Sequence, residues 1–103
     1  MTRGEIFRLR LPGRGREQRG PRYGVIVQAD EFLGLSTVVI APTSRSALPA
    51  TFRPEVEVAG ERTRIMVEQL RAVDVERLGD PTGRLTAREL RAVDVALGLV
   101  LAL

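Results

Sequence analysis

The stretch GRGREQRGPRYGVIVQ, residues 13–28, places Arg14, Arg16, Arg19 and Arg22 directly before a hydrophobic run. A segment that only had to reverse the chain would need glycine and little else. Guanidinium groups in such a place ask for an anionic partner, because the planar fork donates paired hydrogen bonds to carboxylate or phosphate oxygens and keeps its charge at every working pH. Glu17 and Gln18 bring a carboxylate and an amide to the same segment. Further on, Thr43, Ser44 and Arg45 open a second polar stretch, and Gln69 lies near the end of a later apolar run.

The 103 residues include no histidine and no cysteine. That removes Cys/His nucleophilic catalysis, imidazole general-base chemistry, disulfides and thiolate or imidazole metal sites. Any reaction must be run by arginine, carboxylate, hydroxyl and backbone groups. A cysteine-free chain suits a reducing cytoplasm, no apolar leader follows Met1, and the apolar run at 95–103 is far short of a bilayer span, so a soluble cytoplasmic protein is expected.

All sixteen basic residues are arginine. Their placement is uneven: residues 1–22 hold seven Arg against Glu5 and Glu17, whereas residues 23–103 hold nine Arg against eleven acids, a split of +5 and −2 that gives the overall +3. Positive charge concentrated at one end can steer and hold a phosphate backbone, although a solvated arginine-rich arm would look the same by charge alone. Hydrophobic residues make up 44% and charged residues 28%, the balance of one folded domain spanning 1–103.

The elements that must position these groups are short. Alternation in GEIFRLRL (4–11) predicts a first strand, and YGVIVQ (23–28) and STVVIAP (36–42) predict two core strands with a turn or single helical turn in ADEFLGL between them. Two prolines and three glycines in PGRGREQRGP (12–21) predict loop. EVEVAGERTRIMVEQL (55–70) reads as two strands joined tightly at Ala59-Gly60-Glu61. The period then changes: Leu90, Val93, Leu97 and Leu101 recur at helical spacing, Thr86 and Glu89 form a capping box, and the stripe is expected to pack as core.

LRAVDV occurs twice, at 70–75 and 90–95. Only the second copy has a cap and a continuing helical stripe, and two copies do not make a solenoid, so the repeat is read as accidental. The fold class is mainly β with a C-terminal helix (α+β): a small, strongly bent SH3-like or CcdB-like barrel of about five to seven strands, closed by an amphipathic helix.

Five segments, RGEIF (3–7), EQRGPR (17–22), VVIAPTS (38–44), VEQLRAVD (67–74) and GRLTARELRAVDVAL (83–97), together resemble the MazF/PemK family of toxin endoribonucleases over nearly the whole chain. The resemblance implies a homodimeric toxin of a toxin–antitoxin pair that cuts single-stranded RNA in a sequence-selective, metal-independent way with no cofactor, stops translation and growth, and is blocked by a cognate antitoxin. It places the family's catalytic arginine on Arg22 and its catalytic threonine on Thr43, matches Glu17 and Gln18 to residues that line the groove, and matches Gln69 to the family's E-Q-[IL]-R strand, in a structural or base-contacting role. Two positions depart from the pattern. Tyr23 stands where the family has proline after its arginine, and Pro42 stands where leucine or isoleucine is usual.

The implied chemistry needs no histidine. RNA carries its own nucleophile, the 2′-hydroxyl, and the protein has only to orient it and stabilise the charge that builds on phosphorus. Arg22 suits the second task, Thr43 would donate to a non-bridging oxygen, and Glu17 is the favoured base. Arg14, Arg16, Arg19, Gln18, Ser44, Arg45 and Gln69 are candidate RNA contacts, in a groove bounded by the loops at 12–22 and 43–52 that an acidic antitoxin segment would also occupy. The plainer alternatives are solvated loop arginines, a strand-end hydroxyl at Thr43 and a buried, backbone-satisfied amide at Gln69. At the level of the whole chain the rivals are a protein-gripping toxin like the gyrase poison CcdB and a noncatalytic RNA-binding module. Neither the RNA word cut nor the target among mRNA, tRNA and rRNA is written in these residues.

Overall fold

The structure, a computed structural model, describes residues 1–103. Seven strands precede one helix: β1 Glu5–Leu11, β2 Gly20–Ile26, β3 Thr37–Ser44, β4 Glu55–Val58, β5 Glu61–Ile65, β6 Arg71–Asp74, β7 Leu78–Arg84 and α1 Ala87–Leu101. Single 3-10 turns lie at Asp30–Phe32, Val67–Gln69 and Val75–Arg77. The strands run antiparallel in the order β4-β5-β3-β2-β1-β7, with β6 pairing off this path to β3. The strand β3 thus serves two partners on one side, β6 along Thr37–Ile40 and β5 at Thr43 and Ser44, which requires the sheet to bend sharply around it.

The bend creates two cores, and the strands feed them alternately. Val25, Val27, Ala41, Val56, Val58 and Ile65 point to one, beneath Val93 and Ala96 of α1. Leu9, Leu11, Ile26, Val38, Ile40 and Val73 fill the other. This explains the unbroken apolar run at 25–27, since a strand covered on both faces has no wet side to mark with polar residues. The β4–β5 connection is the tight turn expected from Ala59-Gly60: both residues have positive φ, 52° and 80°, matching the twist of the flanking strands.

Two expectations about the strands are corrected. The segment 12–21 is not loop throughout, because β2 begins at Gly20 and carries Pro21 and Arg22. The strand β7 is absent from the sequence reading, as LGDPTGR has the composition of a loop; it is an edge strand, pairs β1 with register shifts at Ile6/Phe7 and Phe7/Leu9, and can therefore carry Pro81 without breaking a ladder on its free side. Gly79 of this strand lies so close to β1 that a Cβ would sit 2.8 Å from the Arg8 carbonyl oxygen.

The helix is capped as expected, with Thr86 Oγ1 accepting from Glu89 N at 3.1 Å and Glu89 Oε1 accepting from Thr86 N at 2.9 Å. Its buried residues are Val93 and Ala96, with Leu90, Leu97 and Val100 packed partly against the core. Leu101, the last residue of α1, is half exposed rather than core, and Val95 and Leu99 are exposed as well.

Candidate functional site

Arg22 and Thr43 come together. They line one cleft of about 640 Å³ with Arg8, Arg10, Ser44 and Arg45, closed on its far sides by Glu61 and Thr63 of β5 and by Arg77, Gly79 and Asp80. The pairing of β2 with β3 in the register Gly24↔Pro42 brings the start of one strand beside the end of the other. Residues distant in the chain therefore meet at one rim of the sheet.

The cleft is cationic. Arg45 is ion-paired with Glu61, and the remaining arginines Arg8, Arg10, Arg22 and Arg77 have no acidic partner, leaving Asp80 as the carboxylate without an ion pair. An unneutralised cluster of this kind attracts polyanions and raises their local concentration.

Arg22 is held on its inner edge. Its Nε donates to Gln18 Oε1 at 3.0 Å, so the two terminal nitrogens remain free to donate to a pair of phosphate oxygens. Gln18 is itself fixed: its N–H donates to Gln69 Oε1 at 2.6 Å and its carbonyl accepts from Arg71 Nη1 at 3.3 Å. Gln69 Nε2 donates to Arg16 O at 3.1 Å, so this half-buried amide bonds the loop backbone at two nearby points, Arg16 and Gln18.

Thr43 is buried, and its hydroxyl donates to Tyr23 O at 3.1 Å. Its one hydrogen is thus committed to the backbone, and the donation to a non-bridging oxygen expected from sequence requires that bond to be exchanged; its lone pairs are open to accept. The two departures from the family pattern sit here. Tyr23 supplies that carbonyl and stacks under Arg8, whose guanidinium carbon lies 5.9 Å from the ring centre, and Pro42 O accepts from Met66 N at 2.8 Å. Both strands keep their pairing, so neither residue disrupts the rim.

The other expected residues divide. Ser44 and Arg45 line the cleft, and Gln18 borders it through Arg22. Arg19 lines a neighbouring cavity, while Arg14, Arg16 and Glu17 are exposed on the loop and line neither. Glu17 is therefore not placed at the cleft, because the glycine-rich loop turns its side chain outward to solvent. Of the stretch 43–52, only Thr43, Ser44 and Arg45 contribute. The sequence reading missed Arg8, Arg10, Glu61, Thr63, Arg77 and Asp80. For the first two a signal existed: Arg8 and Arg10 alternate with buried Leu9 and Leu11, which puts them together on the open face of β1.

Residues 2–101 match the family described as PemK-like, MazF-like toxin of type II toxin-antitoxin system. The chain belongs to this family. It is 39% identical over 106 residues to Rv3098A of Mycobacterium tuberculosis, covering 100% of this chain and 99% of that one. It is 34% identical over 112 residues to Endoribonuclease MazF9 of the same organism, covering 96% and 94%. The fold is similar, with a TM-score of 0.85 at 18% identity, to an endoribonuclease solved in complex with its cognate antitoxin from a mycobacterial species, over 100% of this chain and 96% of that one. The bent sheet closed by a C-terminal helix is thus a MazF-like fold, and no helix in it is long and apolar enough to cross a membrane.

Proposed function

We propose that this MazF-like toxin is a cytoplasmic endoribonuclease that cuts single-stranded RNA by attack of the 2′-hydroxyl on the adjacent phosphorus. The observation that carries the reading is the convergence of Arg22 and Thr43 on one cationic cleft, with the terminal nitrogens of Arg22 free. The new bond forms between the 2′-oxygen and phosphorus, and the bond from phosphorus to the 5′-oxygen breaks. The 2′-hydroxyl proton is lost and the departing 5′-oxygen gains one, so the products are a 2′,3′-cyclic phosphate and a 5′-hydroxyl. DNA, which lacks the 2′-hydroxyl, is left intact.

Arg22 binds two phosphate oxygens and stabilises the charge of the phosphorane, an interaction that strengthens as the transition state is approached. Thr43, with its hydrogen given to Tyr23 O, accepts from the 2′-hydroxyl and orients it, or donates to a non-bridging oxygen if that bond exchanges. Asp80 is better placed than Glu17 to take the proton, since it lines the cleft and has no ion pair. The assembly is a homodimer in which the exposed apolar residues Val95, Leu99 and Leu101 of α1 are the first candidates for burial, and an acidic antitoxin segment occupies the cleft in competition with RNA.

The test is incubation of purified protein with a long mixed-sequence RNA in EDTA, with end mapping. Discrete fragments ending in 2′,3′-cyclic phosphate are expected. Intact RNA would overturn the reading in favour of a protein-gripping or noncatalytic RNA-binding toxin.

A further inference from the structure

Beside the cleft lies a second cavity of about 530 Å³, walled by Arg10, Arg19 and Arg77 and floored by the chain at Leu11, Pro12 and Gly13. Arg10 and Arg77 also line the cleft, so the two hollows share a wall. None of these three guanidinium groups has an acidic partner, and no carboxylate lines the cavity. Three like charges around one hollow repel each other in the free protein, and an anion placed among them relieves that repulsion. The cavity offers no aromatic platform and only Leu11, itself buried, and Pro12 as apolar surface, so it fits a phosphate group better than a base or an apolar side chain.

We infer that this cavity is a phosphodiester subsite for RNA flanking the position of cleavage: a strand leaving the Arg22–Thr43 cleft crosses the Arg10–Arg77 wall and lays a neighbouring phosphate among Arg10, Arg19 and Arg77. The inference rests on the proposed function for the identity of the strand in the cleft. It adds a length requirement. Contacts to phosphate carry no sequence information, so the subsite sets affinity and register on any RNA long enough to reach it, while the word that is cut is read in the cleft. The sequence reading had no access to this site, because Arg77 reaches it from the turn before β7, far along the chain from Arg10 and Arg19.

The experiment is fluorescence anisotropy of the full chain with mixed-sequence 2′-O-methyl RNAs of about four and about twelve nucleotides, which bind but cannot be cut. The wild type is expected to bind the longer RNA more tightly and with a steeper salt dependence. Arg19→Ala and Arg77→Ala are each expected to weaken the longer RNA by about five- to tenfold and to lower the magnitude of its salt slope by about 0.7, with a smaller effect on the shorter RNA. Arg77→Lys should recover most of the slope, and Arg91→Ala, which removes the same charge from exposed helix surface, should change neither RNA. Thermal melts establish that each variant is folded. Equal losses on both RNAs, or wild-type binding by both alanine variants, would overturn the subsite. The outcome is separable from the nuclease reading: protein that shows the length effect but leaves unmodified RNA intact loses only the proposed activity, and protein that cuts RNA without the length effect loses only the subsite.

Discussion

Gln69 grips Gln18 from 51 positions away in the chain, its Oε1 accepting from the Gln18 N–H at 2.6 Å while its Nε2 donates to Arg16 O at 3.1 Å. Since Gln18 Oε1 in turn holds Arg22 Nε, the angle at which Arg22 enters the cleft is set from the turn after β5. The loop it crosses is rich in glycine and arginine and has little else to hold its shape.

Gln69→Leu is therefore expected to slow cutting about tenfold or more with little change in KM, and to leave the cut sequence unaltered. Faster amide exchange at residues 13–19 should accompany it, with a melting temperature lower by about 4–8 °C for the roughly 1 kcal/mol that such hydrogen bonds contribute. A changed cut sequence at an unchanged rate would instead mean that Gln69 reads a base.

Arg22→Ala is expected to lower single-turnover cutting by about 10²–10³-fold, the usual loss when one donor to a developing oxyanion is removed. Arg22→Lys should recover little of it. Lysine keeps the charge but has neither the Nε that reaches Gln18 nor a fork that spans two phosphate oxygens.

Thr63 is a test of the opposite kind. It is 6% exposed, and its hydroxyl has no hydrogen-bond partner although it borders the cleft. An orphaned buried hydroxyl costs about 1–3 kcal/mol, so Thr63→Val, which keeps the shape, should raise or hold the melting temperature rather than lower it. Denaturant melts decide, and a clear loss of stability would show that the hydroxyl is satisfied in solution.

At the β4–β5 turn Ala59 adopts φ 52°, a left-handed conformation that costs an alanine about 1–2 kcal/mol. Ala59→Asn should relieve part of this and raise the melting temperature by a few degrees, whereas Gly60→Ala, at φ 80°, should lower it. Cutting should follow neither change.

Much of the architecture was legible in the sequence because the signals were local. Alternation in residues 4–11, the β-branched runs near 25 and 39, the Ala59-Gly60 turn and the Thr86–Glu89 cap each report an energy that acts within a few residues. The strand β7 was not legible, since LGDPTGR offers Thr82 alone as a strand former among turn residues and takes its ladder from β1, far away in the chain. Of the candidate site, the types of residue could be read but not their company. Arg22, Thr43, Ser44 and Arg45 proved to share a cleft, whereas Glu17, five positions before Arg22 in the chain, faces solvent on the loop.

The two copies of LRAVDV divide what is local from what is not. At 90–95 the hexapeptide lies within α1, where the Thr86 cap begins the helix and Val93 packs on the core; at 70–75 it runs through β6, where Val73 pairs with Val38 of β3 and fills the other core. Six identical residues carry identical intrinsic preferences, so the difference comes from cap, register and burial supplied by distant segments. By itself the sequence determined which side chains this protein owns: sixteen arginines, no imidazole, no thiol and a capped amphipathic end. Only the tertiary structure decided that four of those arginines stand unpaired around Thr43, because bringing them together depends on strand pairing between residues far apart in the chain, which no local preference encodes.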